Sequence, residues 1–419
     1  MSVPGDLRTV EEQLADVLAA VRPLDAVRMP AADALGATLR EPVRAAVDIP
    51  VFDNSAMDGF AVRHADVAGA RPDAPVALRV VADLPAGSAD DPPLRPGEAA
   101  RIMTGAPVPA DADAIVPFEA TVGGLADSLT TVTVREAPNG VGAHIRRAGD
   151  DLRAGDVVLA PGVRLDAFQV AAVAAAGVAD VVVARRPRVA VISTGSELVA
   201  AGAPLRRGQI PESNGILLAG LVADAGGEVV ARLSVDDEGG ALRDALAGLT
   251  GGAPERRPDM VVFSGGVSAG AFEVVRIELA GTMTFSRVAM QPGKPQGFGV
   301  LPDGTLLFGL PGNPVSAAVS FEVFVRPALL RMQGRARVQR PVLRVPAAVG
   351  WRTPPGRRQY LPAVVDDALT VRPATAGGSG SHLAGGLGRA HALAIVPAET
   401  EAVAPGDLVD VVLLEGWGA

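Results

Sequence analysis

Cysteine is absent from this chain, which excludes disulfides, thiolate metal sites and cysteine nucleophiles and is compatible with a reducing cytosol. Aromatic residues make up only 3% of the sequence, so its cores must be built mainly from alanine, valine and leucine. The formal net charge of −9 has no compensating basic block, which argues against a nucleic-acid or anionic-membrane partner. The few histidines show no metal-ligand spacing.

Long apolar runs are also lacking. Residues 1–9 contain no apolar stretch of the signal-peptide type. The most apolar segment, 170–184, is short and is interrupted by Gly177 and Asp180, so it predicts a buried helix followed by a strand. We therefore expect no membrane span and a cytoplasmic protein.

Lysine occurs once, as Lys294, although Lys and Arg together number 38. Arginine offers a wide planar fork, whereas lysine is a compact, strongly hydrated point charge. Lys294 lies in a loop of glycine and prolines, 291–295 (QPGKP), which gives the ammonium group a stiff and closely approachable support. Such a loop suits a small, highly charged anion better than a surface ion pair, although one lysine can also survive a drift in composition by chance.

The length of 419 residues predicts two to four domains at about 100–200 residues each. Residues 9–40 have a helical pattern that Thr9 can cap, and Pro23 ends the first helix. A small β-rich domain is predicted next, from short strands at 76–81, 99–104, 114–118 and 129–134. The helical pattern returns at 166–177.

Residues 188–333 alternate strands with helices, which is typical of a parallel, doubly wound sheet. The predicted strands are 189–193, 228–234, 260–263 and 306–310, and the predicted helices are 215–226, 240–249 and 314–332. After a charged linker at 335–340, short strands resume to the end and predict a second small β domain.

Ligands of an open parallel sheet bind beyond the carboxyl ends of its strands, so the loops there are informative. Two of them, 264–268 (SGGVS) and 311–314 (PGNP), bring free backbone N–H groups to a helix start, which suits an anion. Two others, 194–197 (TGSE) and 235–238 (VDDE), bring carboxylates to the same edge. Each loop alone is equally well explained as a tight turn, but together they favour a Mg²⁺–phosphate site. Neither a P-loop nor a dinucleotide fingerprint is present.

Two further acidic loops lie outside the predicted sheet. Residues 52–59 (FDNSAMDG) lack the downstream glutamate of a calcium EF-hand, so that interpretation fails. Residues 144–151 (HIRRAGDD) combine cations with carboxylates. Each loop is as consistent with a solvated, Asx-stabilised turn as with a binding site.

These motifs together resemble the molybdopterin molybdenumtransferases, the MoeA-like family that includes the E domain of gephyrin. The most recognisable segment is 52–63 (FDNSAMDGFAVR). The others follow in the same order along nearly the whole chain: 101–107 (RIMTGAP), 145–151 (IRRAGDD), 193–198 (STGSEL), 264–268 (SGGVS), 292–295 (PGKP) and 309–316 (GLPGNPVS).

The resemblance implies an elongated homodimer of multidomain α/β subunits. The implied domains are a helical linker and dimerisation domain, a β-rich insertion, a central mostly parallel α/β domain of the molybdopterin-binding type, and a C-terminal β-barrel-like domain. Their implied boundaries are, in that order, 6–45 together with 145–180, then 46–144, 181–333 and 338–417.

The resemblance also implies a reaction. Molybdate enters the dithiolene of adenylylated molybdopterin, and Mg²⁺-dependent release of AMP yields the molybdenum cofactor. The enzyme that adenylylates molybdopterin and the apoproteins of molybdoenzymes are the further partners that the resemblance suggests.

Residue roles follow from matching positions. Asp58, Thr104 and Asp151 are expected near the nucleotide and metal, and Glu197, Asp236 and Asp259 near the pterin phosphate and metal. The expected catalytic residues are Asp58, Thr104, Asp151, Glu197, Asp236 and Lys294, and the expected metal ligands are Asp58, Asp151, Glu197 and Asp236. The expected cofactor-binding residues are Gly265, Gly266, Ser268, Asp259, Glu273, Pro295, Gly312, Asn313, Ser316, Arg357 and Ser381. Lys294, Pro295, Ser316, Arg357 and Ser381 are expected to form the molybdate pocket, with Arg357 and Ser381 taken from weaker matches.

The chain departs from the family pattern at several positions. Gln291 stands where a second lysine is usual, and Glu212 and Glu273 stand where aspartate is usual. Val274 replaces an aromatic residue, and Gln359 replaces a common acid beside Arg357. A longer carboxylate moves its oxygens outward by about one carbon–carbon bond, which matters where small misplacements are costly.

Two other functions stay open at this point. An enzyme that adenylylates molybdopterin with ATP has a similar sheet domain, but this chain has only one such domain, and its extra acidic loops suit the later step. A degenerate paralogue that binds molybdopterin as a scaffold without turnover is suggested by Glu212, Glu273 and Gln291.

Overall fold

The structure is a computed structural model that describes residues 7–124, 129–237, 240–268, 273–375, 380 and 383–414. The first element is the helix Val10–Ala20, which begins where predicted because Thr9 and Glu12 form a capping box. Val10 and Val17 are buried on its inner face. Within the described residues, no helix has the length and apolar character needed to cross a membrane.

The predicted helical pattern of residues 9–40 is wrong beyond this first helix. Residues Ala26–Pro30 form a strand that pairs antiparallel with Asp180–Ala184. Val43–Arg44 pairs likewise with Val157–Leu159. The run after Pro23 is short and ends at Pro30, whereas Val181 to Val183 opposite it offers a β-branched partner. Two segments separated by more than a hundred residues are thus joined, and the helix Ala167–Ala175 packs on them.

A six-stranded sheet fills the region between these segments, as the short strand patterns predicted. Its strands in spatial order are Ala114–Pro117, Gly59–Val62, Glu98–Ile102, Val76–Leu84, Thr131–Val134 and Thr121–Val122. Phe60 packs edge-on against Phe118 with ring centroids 5.3 Å apart, which places most of this domain's aromatic surface in one contact.

The central domain contains the predicted mostly parallel sheet. Its strands, numbered within this domain, are β1 (Arg188–Thr194), β2 (Glu228–Val235), β3 (Met260–Ser264), β4 (Met283–Arg287), β5 (Pro295–Val300) and β6 (Leu306–Leu310). The spatial order is β2-β1-β3-β6-β5-β4. The first four strands are parallel, and β5 pairs antiparallel with both β6 and β4. The helices are α1 (Asn214–Asp224), α2 (Ala241–Thr250), α3 (Val274–Glu278), α4 (Pro314–Ser320) and α5 (Arg326–Met332).

Both faces of this sheet are covered, which is why β3 is buried along its whole length and apolar from Met260 to Phe263. Val262 belongs to one apolar layer, which α1 and α5 cover, and Val261 to the other, which α2 covers. The predicted helix at 314–332 is continuous but contains a π-helical turn, Phe321–Val325, between α4 and α5.

The C-terminal domain is an antiparallel sheet with one strand borrowed from the central domain. Its own strands in spatial order are Arg358–Val365, Ala392–Val396, Leu408–Leu413 and Val342–Pro346. Met290–Gln291, from the loop after β4, pairs in parallel with the start of Arg358–Val365. This pairing fixes the C-terminal domain beside the loop that carries Lys294.

Candidate active site at the carboxyl ends of the central strands

A cavity of about 650 Å³ lies beyond the carboxyl ends of β1, β3 and β6. Its lining includes Thr194, Gly195, Glu197, Glu212, Asn214, Asp237, Gly265, Gly266, Ser268, Glu273, Gln291, Lys294, Pro295, Gly312, Asn313, Ser316 and Arg357. The edge of the sheet where the sequence predicted an anion site is therefore a real concave surface.

The turn after β3 is held by two glycines in left-handed conformations. Gly265 and Gly266 have φ of +96° and +66°. A Cβ atom on Gly265 would lie 2.7 Å from the carbonyl oxygen of Thr194, so only glycine fits there. Ser268 follows, and its N–H donates to Oε2 of Glu273 at 2.8 Å. The turn thus brings backbone, rather than side chains, to the floor of the cavity.

The turn after β6 packs directly against the first one. A Cβ atom on Gly312 would come within 3.4 Å of the Cα of Gly265. Asn313 then caps α4, whose first residue is Pro314, an arrangement that leaves the first N–H groups of the helix facing the cavity. Ser316, one turn into α4, is buried and lines the cavity.

Asn214, which sequence reasoning missed, connects these turns. Its Nδ2 donates to Oγ of Ser264 at 2.7 Å and to the carbonyl oxygen of Gly312 at 2.6 Å. Glu212 accepts from the hydroxyl of Ser193 at 2.9 Å and from the N–H of Gly215 at 2.6 Å. The available signal was a Ser-Asn pair just before an amphipathic helix, which is typical of a helix start.

Lys294 and Arg357 form the cationic side of the cavity. Burial, with repulsion from Arg287 and Arg357, lowers the pKa of Lys294. Among the described residues, no carboxylate forms an ion pair with Lys294 or Arg357. Arg357 instead donates from Nη1 to Oε1 of Gln291 at 2.7 Å. Two half-buried cations without a counter-ion suit a compact anion.

Two carboxylates of the cavity can take part in binding a cation. Glu197 lines it, and so does Asp237, whose Oδ2 accepts from the N–H of Ser196 at 3.3 Å. Asp236, the predicted residue of this loop, is exposed and does not line the cavity, whereas its neighbour Asp237 does. Mg²⁺ takes one or two carboxylates plus substrate oxygens and water, so this pair fits Mg²⁺ together with a phosphate-bearing substrate.

The expected role of Asp259 is corrected by the structure. Asp259 precedes β3, so it lies at the amino end of the sheet, opposite the cavity. Arg185 holds its two oxygens at 2.7 and 2.6 Å, and the N–H of Arg188 donates to it at 2.8 Å. Asp259 therefore fixes the connection into β1.

Among the predicted nucleotide and metal residues, Asp58 and Thr104 form a separate cluster in the β-rich domain. Oδ1 of Asp58 accepts from both the N–H and the hydroxyl of Thr104 at 2.7 Å, and these donors lower the pKa of Asp58. Asp53 pairs with Arg147 at 2.6 Å and thereby joins the two acidic loops. Asp151, on the second loop, is exposed.

Within one chain, this cluster does not line the cavity. Across the described parts of the chain, no three acidic or histidine side chains are grouped so as to hold a metal ion by themselves. The predicted ligand set of Asp58, Asp151, Glu197 and Asp236 is therefore not assembled inside a single subunit. Ser381 lies outside the described residues.

Comparison with known proteins agrees with this architecture. Three family models match consecutive parts of the chain: the MoeA N-terminal region (domain I and II) at residues 8–177, a probable molybdopterin binding domain at 190–331, and the MoeA C-terminal region (domain IV) at 344–414. The solved structure of a molybdopterin biosynthesis MoeA protein from Pyrococcus horikoshii OT3 superposes with a TM-score of 0.82, at 27% identity, over 97% of this chain and 100% of that chain.

Relatives are also similar along their whole length. Molybdopterin molybdenumtransferase 2 of Mycobacterium tuberculosis is 43% identical over 420 residues, which span 97% of this chain and 99% of the relative. Molybdopterin molybdenumtransferase 1 of the same organism is 36% identical over 98% of this chain and 100% of the relative. Fold and cavity thus define a MoeA-like transferase with a molybdopterin-binding domain at its centre. The chain belongs to the molybdopterin molybdenumtransferase family.

Proposed function

We propose that this protein inserts molybdate into adenylylated molybdopterin, with Mg²⁺-dependent release of AMP, to give the molybdenum cofactor. The observation that carries the proposal is the pair Lys294 and Arg357, two cations without a carboxylate partner among the described residues, in one cavity with two glycine turns. The names of relatives that match along their whole length support the same reaction.

Molybdate is a compact tetrahedral dianion, and the cationic side of the cavity has the groups to hold it. Lys294 supplies a point charge and Arg357 a guanidinium, while the hydroxyl of Ser316 can donate a further hydrogen bond. Pro295 limits the movement of Lys294 because it fixes the backbone directly after it. The two positive charges and the restricted backbone at Pro295 together favour binding of the dianion in one fixed position.

The glycine turns suit the other substrate. Backbone N–H groups at Gly266 and the start of α4 can bind the phosphate of the adenylylated pterin without adding side-chain bulk. Glu197 and Asp237 are the carboxylates that would hold Mg²⁺ with that phosphate. When bound, Mg²⁺ neutralises the charge that builds on the phosphate as AMP leaves.

The reacting atoms belong to the substrates, so the chain needs no covalent nucleophile. The chain contributes by holding the molybdate dianion beside the dithiolene in a reactive orientation. Effective molarity is high only when the two reacting groups are close together and aligned. We also propose a cytoplasmic homodimer. Within one chain, Asp58, Thr104 and Asp151 do not line the cavity. In a homodimer, these residues of one subunit can lie at the cavity of the other subunit.

The test is to incubate the purified protein with adenylylated molybdopterin, molybdate and Mg²⁺ and to measure released AMP by chromatography. We expect AMP release that needs all three additions and that falls at least tenfold in Lys294→Ala, by analogy with the loss of a charged transition-state contact. A folded dimer that binds the pterin but never releases AMP would instead identify a non-catalytic scaffold.

The adenylylating alternative is tested with the same preparation. ATP and free molybdopterin replace the adenylylated substrate, and we expect no adenylylated product. Accumulation of that product would reassign the chain to the preceding reaction.

A further inference from the structure

Gln291 contacts Arg357 of the C-terminal domain at the cationic side of the cavity. It is the last residue of the short strand Met290–Gln291, which pairs in parallel with Arg358–Val365. The register sets Met290 opposite Arg358 and Gln291 opposite Gln359, so Arg357 emerges just before the paired segment. The side chain of Gln291 then accepts from Nη1 of Arg357 at 2.7 Å.

The chemistry of an amide makes this contact unusual for an arginine in a cavity. A carboxylate at residue 291 would hold the guanidinium more strongly, since it adds the opposite charge and can accept two parallel N–H bonds from an arginine. It would also cancel the positive charge that a dianion needs. A cation at residue 291 would preserve the charge but would repel Arg357. An amide oxygen orients the guanidinium and leaves its charge intact.

The same amide has a second group to offer. Its oxygen is used by Arg357, and the Nε2 hydrogens of Gln291 are donors, so the side chain can present an N–H to an anion in the cavity that it lines. Lys294 is three residues further along the same loop and lines the same cavity. This loop thus supplies the ammonium group of Lys294 and the neutral N–H donor of Gln291. Its Gln291 also holds the guanidinium of Arg357 from the C-terminal domain.

We propose that Gln291 is a positioning residue for the oxyanion: it holds Arg357 over the cavity without neutralising it and donates its own N–H to the anion. This inference rests on the proposed function, because it takes molybdate as the anion. It assigns the selectivity for a tetrahedral dianion to a neutral side chain as well as to the two cations.

Two substitutions of similar size separate charge from geometry. Gln291→Met removes the bond to Arg357 without adding charge, and molybdate affinity should fall about three- to tenfold, as for one lost hydrogen bond. Gln291→Glu keeps an acceptor for Arg357 but adds a negative charge, and affinity should fall further, by about a hundredfold. A purely structural role predicts the reverse order, because the glutamate retains the contact.

The measurement is direct binding of molybdate to the full-length protein by equilibrium dialysis, with the free energy of unfolding recorded for every variant. Gln169→Glu is the matched control. It makes the same chemical change at the helix Ala167–Ala175, where Gln169 closes a capping box that glutamate also closes. It should bind molybdate as the unmodified protein does.

The outcomes distinguish the two proposals. If the unmodified, folded protein binds no molybdate, the oxyanion cavity and the proposed function both fall. If it binds molybdate and Gln291→Glu binds as well as or better than Gln291→Met, the proposed function stands and the role of Gln291 is overturned. A loss in Gln169→Glu equal to that in Gln291→Glu also overturns it, since the effect would then be one of overall charge.

Discussion

Thr104 donates to Oδ1 of Asp58 twice, from its backbone N–H and from its hydroxyl, and both distances are 2.7 Å. Threonine therefore orients one carboxylate oxygen and leaves the other, Oδ2, turned away from Thr104. Both donors favour the ionised form, so the pKa of Asp58 lies below its ordinary value although the side chain is exposed. The carboxylate is thus prepared as an anionic ligand in the free protein.

Thr104→Val should raise the pKa of Asp58 toward the ordinary aspartate value, because it removes the hydroxyl donor and keeps the N–H donor. The depressed pKa means that the hydrogen bonds stabilise the fold above the unfolded pKa, about 3.9, and are lost as the pH falls through the folded pKa. Carboxyl-carbon NMR titration measures the shift. An unchanged pKa would show that the hydroxyl bond has no weight in solution.

The turn after β3 should not accept any side chain. Gly265→Ala puts a Cβ atom 2.7 Å from a carbonyl oxygen at a φ of +96°, so we expect a loss of about 1–3 kcal/mol in the free energy of unfolding and weaker pterin binding. Gly252→Ala, where a Cβ atom would meet nothing within 4 Å, is the matched control. Equal behaviour of the two variants in thermal unfolding would contradict the steric account.

Molybdate affinity should decline as the pH rises through the pKa of Lys294. A bound dianion favours the ammonium form, so binding is strongest below that pKa and weakens above it. Burial, Arg287 and Arg357 lower the pKa from its ordinary value near 10.4, so the decline should begin at a lower pH than for an exposed lysine.

The control for this pH dependence is Lys294→Arg. Arginine stays charged to about pH 12, so the alkaline decline should disappear, whatever the change in affinity at neutral pH. Equilibrium dialysis of molybdate at a series of pH values compares the two proteins. A decline that persists unchanged in Lys294→Arg would assign it to another group.

Asp259 should matter for stability and not for binding. Asp259→Asn weakens the two bonds from Arg185, and the free energy of unfolding should fall by about 1–3 kcal/mol. Molybdate affinity should stay the same, because Asp259 lies at the opposite end of the sheet. A weakened molybdate affinity with unchanged stability would return Asp259 to the site.

The sequence predicted the central sheet well because its signal is local. The strand Met260–Ser264, for example, begins with four consecutive apolar residues and is followed by a glycine turn, and the covering of both faces of the sheet follows from that pattern. The loops at the carboxyl ends could be predicted equally well, because the topology of a parallel sheet alone brings Gly265 and Gly312 to the same edge. Lys294 was predicted from its rarity, and it lines the cavity.

What the sequence did not provide depends on distant pairing. The strand Ala26–Pro30 exists because Asp180–Ala184 lies opposite it, and no short window contains both. Asn214 reaches two loops that are 50 and 98 residues away, so its role follows from contacts and not from a motif. The expected roles of Asp259 and Asp236 came from the family resemblance. That resemblance did not show that Asp259 lies at the amino end of the sheet, or that Asp237 and not Asp236 lines the cavity.

The parallel pairing of Met290–Gln291 with Arg358–Val365 has a consequence for how the protein can be shortened. A fragment that stops after residue 340 would retain the doubly wound sheet, both glycine turns and the ammonium group. It would lose the guanidinium of Arg357, so the amide oxygen of Gln291 would lose the hydrogen bond that it accepts from Arg357. The C-terminal β domain therefore contributes Arg357 to the lining of the cavity, and we expect a minimal catalytic unit to include it.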